Sequence, residues 1–355
     1  MRKQIYLVIL LIPILFSCEK EPVDIIYADF EGKRGVFISC EGNFMYGNAS
    51  LSFYDKENKV VYNNIFSGRN RAPLGDVAHS LASDGKYLYI VVNNSGKIVA
   101  VDPKTLEFRK SVTGLVSPRY IHFVNSTKAY ISDLYARRIT IFNPSTFEKA
   151  GFINVSDGKT GSTKHPTETF ARVGNLIFVS CWAYDNLILV INPLTDSVID
   201  SIQVPMQPRK MVVDINNKLW VQCDGNFAGT SSGTEMPALA LIDTETLTVR
   251  QVFRWASATD YAGDLQINPA KDSLYIVKGD LYKMAVTSRR LPETPLIKAR
   301  KRLFFSVGVD PDNGDIYLAD AIDYMQNAMV YRYSANGIAI DSFRVGINPG
   351  NFLFN

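Results

Sequence analysis

The chain of 355 residues has little of the chemistry from which most enzyme sites are built. It contains three histidines, His79, His122 and His165, and they show neither His-x-His nor His-Glu-x-x-His spacing, so a zinc site is not expected. Four cysteines are too few for a disulfide scaffold. The chain has no Gly-x-Ser-x-Gly elbow and no Ser-x-Asp-x-Gly-x-Thr-Trp box. We therefore expect no catalytic residue, no metal ligand and no cofactor.

An excess of positive charge is also missing. The 38 Lys and Arg residues nearly balance the 35 Asp and Glu residues, and Arg2 and Lys3 lie in a segment that we expect to be removed. This balance argues against nucleic acid as a partner, because nucleic-acid binding depends on neutralising phosphates. The 46% hydrophobic and 21% charged residues, with 23 Gly and 16 Pro, are typical of a globular protein with many strands and turns.

One long apolar run is present, and it lies at the N-terminus. It extends from Ile5 to Phe16 behind Arg2 and Lys3, too short for the ~20 residues that cross a bilayer but typical of a signal peptide. The run ends in Ser17-Cys18, which resembles a bacterial lipobox. We predict a lipoprotein signal peptide over 1–17, lipidation of Cys18, a tether over 18–29 and one domain over 30–355. The alternative is an ordinary secretory signal with a coincidental cysteine.

An internal repeat predicts the architecture of this domain. Each copy has a short apolar strand with an aromatic residue near its start, and successive aromatic residues lie 41 to 55 residues apart. This spacing is close to the ~40–50 residues of a four-stranded propeller blade. The seven aromatic residues are Phe37, Tyr89, Tyr130, Phe178, Trp220, Tyr275 and Tyr317.

The two ends of the chain are complementary in this pattern. The first copy lacks a preceding inner strand, whereas Pro349–Phe354 has the form of an inner strand with no blade after it. We predict an all-β, seven-bladed propeller of four-stranded antiparallel blades in which the C-terminal strand closes the first blade. Copy six, Asp280–Val286, lacks the usual turn and is the weakest. The alternative fold is a pair of β-sandwiches with similar hairpins.

In a propeller, the connections between blades and the loops between second and third strands gather on one face around the axis. These segments are rich in aromatic residues, Arg and Asn, which together suit a large, flat, partly apolar ligand. The predicted ligand-binding residues are Asn43, Phe44, Tyr46, Arg69, Arg71, Tyr135, Arg137, Trp182, Tyr184, Asn186, Phe227, Trp255, Tyr261 and Tyr324.

Two further groups of residues occupy equivalent positions in different blades. Cys40, Cys181 and Cys223 follow their aromatic residues by three, but second strands of adjacent blades lie roughly 9 Å apart, beyond the ~7 Å limit for a disulfide. We expect small buried thiols. Acidic residues also follow the aromatic strands, and their convergence on the axis would suit a calcium-dependent, lactonase-like hydrolase; they are Glu41, Asp133, Asp224 and Asp320.

The first blade carries a more specific signal. Glu41-Gly42-Asn43 followed by Asn48-x-Ser50-Leu51-Ser52-Phe53-Tyr54-Asp55, behind a lipoprotein signal and before six further blades, resembles the YncE-like or NHL-like surface lipoproteins of Bacteroidetes. These include the BtuG-type proteins that bind cobalamin. The resemblance implies a non-enzymatic protein, anchored at the cell surface of the outer membrane through its lipid, that binds a corrinoid and passes it to a TonB-dependent outer-membrane transporter.

The resemblance also suggests a division of roles among the predicted ligand-binding residues. Aromatic side chains would cover the corrin faces, asparagines would meet the peripheral amides, and an arginine would approach the phosphate. The rings are Phe44, Tyr135, Trp182, Tyr184 and Phe227, the amides Asn43 and Asn186, and the guanidinium that of Arg137 or Arg69. The competing hypotheses are a propeller scaffold that binds protein or glycan on the same face, and the calcium-dependent hydrolase.

Overall fold

The computed structural model describes residues 29–155, 165–226, 233–257 and 263–355. This part of the chain forms 27 β-strands and one short α-helix. The predicted signal peptide, the predicted lipidation site Cys18 and all but the last residue of the predicted tether lie outside the described residues. No helix among the described residues is long and apolar enough to cross a membrane.

Blades 1 to 4 take up the first half of the domain. Their strands, in chain order, are β1 Gly35–Cys40, β2 Ser50–Asp55, β3 Val60–Tyr62, β4 Ala78–Ser83, β5 Leu88–Val92, β6 Lys97–Val101, β7 Phe108–Val112, β8 Pro118–Asn125, β9 Lys128–Asp133, β10 Arg138–Asn143, β11 Glu148–Asn154, β12 Thr167–Val173, β13 Leu176–Cys181, β14 Leu187–Asn192 and β15 Ser197–Gln203. The helix α1, Ile65–Asn70, lies between β3 and β4.

Blades 5 to 7 follow, and the chain then returns to blade 1. The strands are β16 Pro208–Val213, β17 Leu219–Cys223, β18 Ala238–Asp243, β19 Thr248–Arg254, β20 Asp264–Ile267, β21 Ser273–Lys278, β22 Asp280–Ala285, β23 Phe304–Val309, β24 Ile316–Asp320, β25 Met329–Tyr333, β26 Ala339–Arg344 and β27 Pro349–Phe354. Together, the 27 strands of the described residues form seven sheets, and the order of strands in these sheets confirms the predicted seven-bladed propeller.

The C-terminal strand closes the ring as the sequence predicts. β27 pairs antiparallel with β1, with Val36 opposite Phe354 and Ile38 opposite Phe352, so blade 1 has the order β27-β1-β2-β3. The seven inner strands contact one another in a closed circuit of β27, β4, β8, β12, β16, β20 and β23. This closure pairs the inner edge of β1 and excludes the two-sandwich alternative.

The repeated aromatic residues fill the spaces between blades. All seven are at most 1% exposed, and seven apolar clusters each join a pair of neighbouring blades. Several of these rings also reach a polar partner, as where Tyr89 donates to Asp84 at 2.9 Å and the Trp220 indole donates to Asp214 at 3.0 Å. The repeat is therefore a packing repeat, which explains why its period was readable in the sequence.

The sixth blade departs from the predicted four strands. Its sheet contains β20, β21 and β22, and the segment that follows contributes one isolated bridge, Ile297 opposite Leu281. The missing turn after Asp280–Val286 is the sequence feature that corresponds to this irregularity. The other six sheets have four strands each.

Cys40, Cys181 and Cys223 are buried and form no disulfide bond, as predicted. Burial raises the pKa of the Cys40 thiol to about 11, so this thiol stays protonated and unreactive at neutral pH. Because they end β1, β13 and β17, these residues all lie near the end of the propeller at which the inner strands begin. We call this end, formed by blade-to-blade connections and second-to-third-strand loops, the loop face.

Candidate functional site

Exposed aromatic side chains stand on the loop face in four blades. They belong to the β1–β2, β9–β10, β13–β14 and β24–β25 loops, and none of them is needed to pack a blade. Their exposure ranges from 44 to 77%, and Met45 and Met325 are exposed beside them. Exposed apolar groups that share one face of a soluble protein indicate a binding surface. The five predicted residues in this group are Phe44, Tyr46, Tyr135, Tyr184 and Tyr324.

The loops of blades 7 and 1 are tied together. The Asn43 side-chain amide donates to the Tyr324 carbonyl at 2.6 Å, and the Tyr324 ring meets Phe305 edge to face at 5.9 Å. The backbone N–H of Met45 donates to Asp76 of the next connection at 2.9 Å. These bonds hold the apolar side chains of the two loops on one rigid base.

Blades 3 and 4 provide a second pair of aromatic loops. Tyr135 and Arg137 are exposed in the β9–β10 loop, where Asp133 accepts backbone N–H bonds from Tyr135 at 3.0 Å and Ala136 at 2.9 Å. In the β13–β14 loop Tyr184 adopts a left-handed φ of 68° and points its ring into solvent. The side chain of Asn186 is half-buried beside it.

Blade 2 lies between these two pairs, and its loop is short. The β5–β6 turn consists of the small polar residues 93–96, and its Asn94 donates to Asp76 in the connection between β3 and β4. Around the ring, this short turn therefore lies between the aromatic loops of blades 7 and 1 and those of blades 3 and 4.

A ring of seven residues, most of them polar or charged, surrounds the axis beneath this surface. It is built from the second residue of six inner strands and the first residue of β20: His79, Arg119, Glu168, Arg209, Phe305, Gly350 and Asp264. Arg119 binds Glu168 through two hydrogen bonds of 2.6 and 2.9 Å. His79 lies 3.1 Å from Glu41 and 3.5 Å from Glu168.

Further polar and charged side chains beside this ring connect the aromatic surface to the axis. Half-buried Trp182 donates through its indole to Asp224 at 3.1 Å, and the Arg119 guanidinium lies 5.6 Å from the Trp182 ring centroid. Lys210 donates to the Tyr120 hydroxyl at 3.0 Å and lies 3.4 Å from Asp264. Trp182 is therefore held by charged groups on two sides.

Among these residues, burial and the pairing of opposite charges shift pKa values in opposite directions. Burial alone would raise the pKa of Glu168, but Arg119 and a hydrogen bond from His79 hold it well below its usual range. Burial raises the pKa of Asp224 in spite of Arg209 and Trp182. Burial would lower the pKa of Lys210, yet Asp264 and Tyr120 raise it. The ring thus consists of mutually neutralised charges.

The axial space itself is small. Between the described residues around the axis the cavity holds about 40 Å³, enough for a few water molecules and far below the ~300 Å³ of a typical ligand pocket. A ligand larger than a few atoms therefore does not fit inside this axial cavity.

The structure leaves three predicted ligand-binding residues outside the exposed surface of the loop face, two by their position and one by burial. Arg69 belongs to α1 and pairs with Glu107 at 3.0 Å in the β6–β7 turn, which is at the opposite end of blade 2. Arg71 is the C-cap of the same helix, with a φ of 52°. Trp255 is 8% exposed and packs in the core between blades 5 and 6. The expected position on the loop face is thus corrected for Arg69 and Arg71, and the expected exposure for Trp255.

Other sequence-based expectations have mixed outcomes. Phe227 and Tyr261 lie outside the described residues. Of the four carboxylates proposed for calcium, Glu41 lines the axial cavity and Asp224 pairs with Arg209 beside it. Asp133 and Asp320 instead accept backbone hydrogen bonds from their own loops and from the connections before their blades. The four carboxylates therefore do not converge as a set.

Sequence analysis missed the axial ring. The sequence signal for this ring was a charged residue at the same position, near the start, of inner strands whose other residues alternate in character. It is most visible in the repeated Pro118-Arg119 and Pro208-Arg209. The expected absence of a metal site rested on linear spacing, but His165, Cys181 and Asp185 lie together in space. His122 is half-buried against Phe170, and its pKa is lowered to about 4 by burial and by Arg172.

Solved structures of similar shape are propellers from diverse proteins. A quinonprotein alcohol dehydrogenase-like protein from Bacteroides thetaiotaomicron is 13% identical, with a TM-score of 0.67 over 92% of this chain and 79% of that chain. A protein from Lactobacillus plantarum is 14% identical, with a TM-score of 0.67 over 91% and 99%. The dihydro-heme d1 dehydrogenase NirN in complex with DHE is 9% identical, with a TM-score of 0.56 over 89% and 75%. At these identities the likeness shows the fold alone.

Sequence comparison assigns the chain to a family. A comparison with curated proteins finds no match. The family model described as a domain of unknown function, DUF5074, matches residues 34–354, which run from just before β1 to the last residue of β27. The match thus spans all seven blades, and the chain belongs to the DUF5074 family.

Proposed function

We propose that this protein is a non-enzymatic binding protein that captures a corrinoid on its loop face. The observation that carries the proposal is the set of exposed rings on four loops of one face, above a mouth too small to admit a ligand. A corrin has two broad apolar faces edged with amides. Stacking on Tyr135 and Tyr184 covers such a face, and the side chains of Asn43 and Asn186 lie beside the rings to meet polar edges.

The axial ring supports a binding role over catalysis. Its carboxylates are engaged by Arg119, Arg209 and Lys210, so it offers a rigid and nearly neutral floor. The exposed Arg137 supplies positive charge for the single corrinoid phosphate. NirN, a similarly shaped propeller solved with DHE, is named for its action on dihydro-heme d1. Like corrin, heme is a flat macrocycle, which is consistent with the proposed ligand class.

We further propose that the protein is an outer-membrane, cell-surface lipoprotein that passes the corrinoid to a TonB-dependent transporter. The support is the apolar run from Ile5 to Phe16 and the Ser17-Cys18 that follows it. Lipidation of Cys18 adds membrane affinity of ~0.8 kcal/mol per buried CH₂.

The anchor is tested by substituting its attachment site. Cys18→Ser is expected to move the protein from the membrane fraction of its cells to the soluble fraction, and incorporation of labelled palmitate should be lost. Cys223→Ser, which removes a buried thiol in blade 5, is the matched control and should leave both unchanged. Membrane association that survives Cys18→Ser would contradict the proposed anchor.

Calorimetric titration with cyanocobalamin tests the ligand. We expect one site per chain with a micromolar or tighter Kd. Tyr184→Ala is expected to weaken binding about tenfold, because an aromatic contact contributes roughly 1–2 kcal/mol and 1.4 kcal/mol corresponds to a factor of ten. Tyr135→Ala is expected to have a similar effect.

Phe108→Ala is the matched control for these variants. Phe108 is also an exposed aromatic residue, but it begins β7 at the end of the propeller opposite the loop face. Its replacement should leave the Kd unchanged. A titration without heat, or equal losses in Tyr184→Ala and Phe108→Ala, would overturn the proposed function.

A further inference from the structure

Three potential metal ligands meet at the top of blade 4. They are His165, which precedes β12, Cys181, the last residue of β13, and Asp185 in the β13–β14 loop. One donor atom from each lies within 4.8 Å of the other two. His165 and Cys181 are buried, whereas Asp185 is partly exposed and connects the group to solvent.

Backbone pairing fixes this arrangement. Thr167 lies opposite Cys181 in the β12–β13 ladder, and the Trp182 N–H donates to the Pro166 carbonyl at 3.0 Å, which holds His165 beside the thiol. Ala183 and Tyr184 adopt left-handed φ angles of 56° and 68°, and the loop turns back as a result. Two consecutive non-glycine residues in this region are uncommon and bring Asp185 over the strand ends.

Asp185 is oriented by both of its oxygens. Its Oδ2 lies 2.6 Å from His165 Nδ1, and its Oδ1 accepts the Asn186 N–H at 2.7 Å. A backbone donor that fixes a carboxylate in this way is a common outer-shell feature of metal sites. The Asp185 carbonyl also accepts the Gln207 N–H at 2.7 Å, which ties the loop to blade 5.

The donor set matches a particular class of cation. Imidazole, thiolate and carboxylate together suit zinc and similar divalent transition metals, whereas calcium and magnesium prefer oxygen ligands alone. Tetrahedral ligands about 2.0–2.1 Å from zinc lie roughly 3.3 Å apart. His165 and Asp185 would therefore separate by less than 1 Å from the present 2.6 Å contact to admit the ion.

We infer that His165, Cys181 and Asp185 form a binding site for one zinc-like divalent cation. Three protein ligands leave a fourth position for water or for a donor atom of a bound molecule, as in open zinc sites. Binding exchanges the proton of the Cys181 thiol for the metal and involves no change of oxidation state. Cys181 is adjacent to Trp182 in the chain, so the site lies at the edge of the loop face. The inference does not depend on whether the ligand bound to this face is a corrinoid.

Titration with cobalt(II) tests this inference. Cobalt in a site with a thiolate ligand shows a sulfur-to-cobalt charge-transfer band in the near ultraviolet, and we expect this band to saturate at one cobalt per chain. Zinc added afterwards should bleach the band by displacement. The readout requires no assumption about the activity of the protein.

Cysteine variants identify the thiolate that binds the metal. Cys40 and Cys223 end their strands at the same position as Cys181 and are also buried, but neither belongs to such a cluster among the described residues. Cys181→Ser is expected to abolish the band, whereas Cys40→Ser and Cys223→Ser should keep it. A band that persists in Cys181→Ser, or no band in the wild-type protein, would overturn the inference.

A second variant covers the case in which Cys181→Ser does not fold. His165→Gln keeps the thiol and the size of the polar side chain, and a thermal melt followed by near-ultraviolet circular dichroism would verify its fold. We expect cobalt binding to weaken by more than ~100-fold, beyond the 10–100-fold that follows loss of an outer-shell partner. Unchanged cobalt affinity in folded His165→Gln would mean that the His165–Asp185 contact is only structural.

Discussion

Arg119→Met is expected to destabilise the protein by about 3–5 kcal/mol at neutral pH. Arg119 makes both hydrogen bonds to Glu168, a carboxylate that is 1% exposed. Removing one partner of a buried ion pair leaves an uncompensated charge, and His79 is the remaining side chain beside Glu168. Urea unfolding followed by circular dichroism measures the change in the free energy of unfolding.

The matched control removes both charges. The double variant Arg119→Met/Glu168→Met is expected to recover most of the lost stability, because a well-packed apolar pair avoids the desolvation cost. A double variant that is less stable than Arg119→Met would contradict this assignment.

Lowering the pH should reduce the difference in the free energy of unfolding between Arg119→Met and the wild-type protein. In the wild-type protein the Glu168 pKa lies below its ordinary value of 4.5, so the ion pair contributes stability above pH 4.5 and loses it as the pH falls further. Without Arg119, burial raises the Glu168 pKa, and protonation then stabilises the variant at low pH. A destabilisation that is equal at pH 7 and pH 4 would show that Arg119 acts through packing alone.

Removal of residues 349–355 is expected to abolish cooperative unfolding. This segment contains β27, whose absence would expose the whole inner edge of β1, a strand with six buried residues. It would also remove Phe352 and Phe354, which pack against Tyr317 at ring distances of 6.3 and 5.3 Å. Exposed strand edges of this kind lead to aggregation. Size-exclusion chromatography and thermal melting would show aggregates and no single transition.

The control truncation removes Asn355 alone. It eliminates the hydrogen bonds that Asn355 accepts from the Gly35 N–H and donates to the Gly35 and Lys33 carbonyls, but it leaves β27 intact. We expect a folded monomer with a melting temperature lowered by only a few degrees, since a net hydrogen bond contributes about 1 kcal/mol. If the 349–355 deletion unfolded as cooperatively as this control, ring closure by β27 would not be required for the fold.

The sequence predicted the blades well because their strands follow local rules. Alternating apolar residues and a buried aromatic residue determine each second strand, and Pro349–Phe354 was predicted and observed with the same bounds. The irregularity of blade 6 was visible as a missing turn. Local patterns of this kind require no knowledge of the neighbours of a strand.

The errors concern residues whose positions depend on distant parts of the chain. Helix α1 was not predicted, so Arg69 and Arg71 were placed on the loop face, although α1 packs beside Leu106 and Glu107 at the opposite end. Trp255 follows a strand and resembles a loop residue in sequence, yet the neighbouring blade covers it. An exposed and a covered aromatic residue have the same local sequence signal.

The polar sites were the least predictable part. Arg119 and Glu168 are 49 residues apart, and His165 lies 20 residues from Asp185. Each of these residues is unremarkable in its own strand or loop. Only the closed ring and the β12–β13 ladder bring the members of each group together.

Hydrogen–deuterium exchange with and without cyanocobalamin tests most directly whether the loop face is the ligand-binding surface. Bound ligand should slow exchange in the loops that carry Phe44, Tyr135, Tyr184 and Tyr324, while the β6–β7 and β10–β11 turns at the opposite end exchange at unchanged rates. Slowed exchange confined to those opposite turns, or no change anywhere at saturating cyanocobalamin, would contradict corrinoid binding on the loop face.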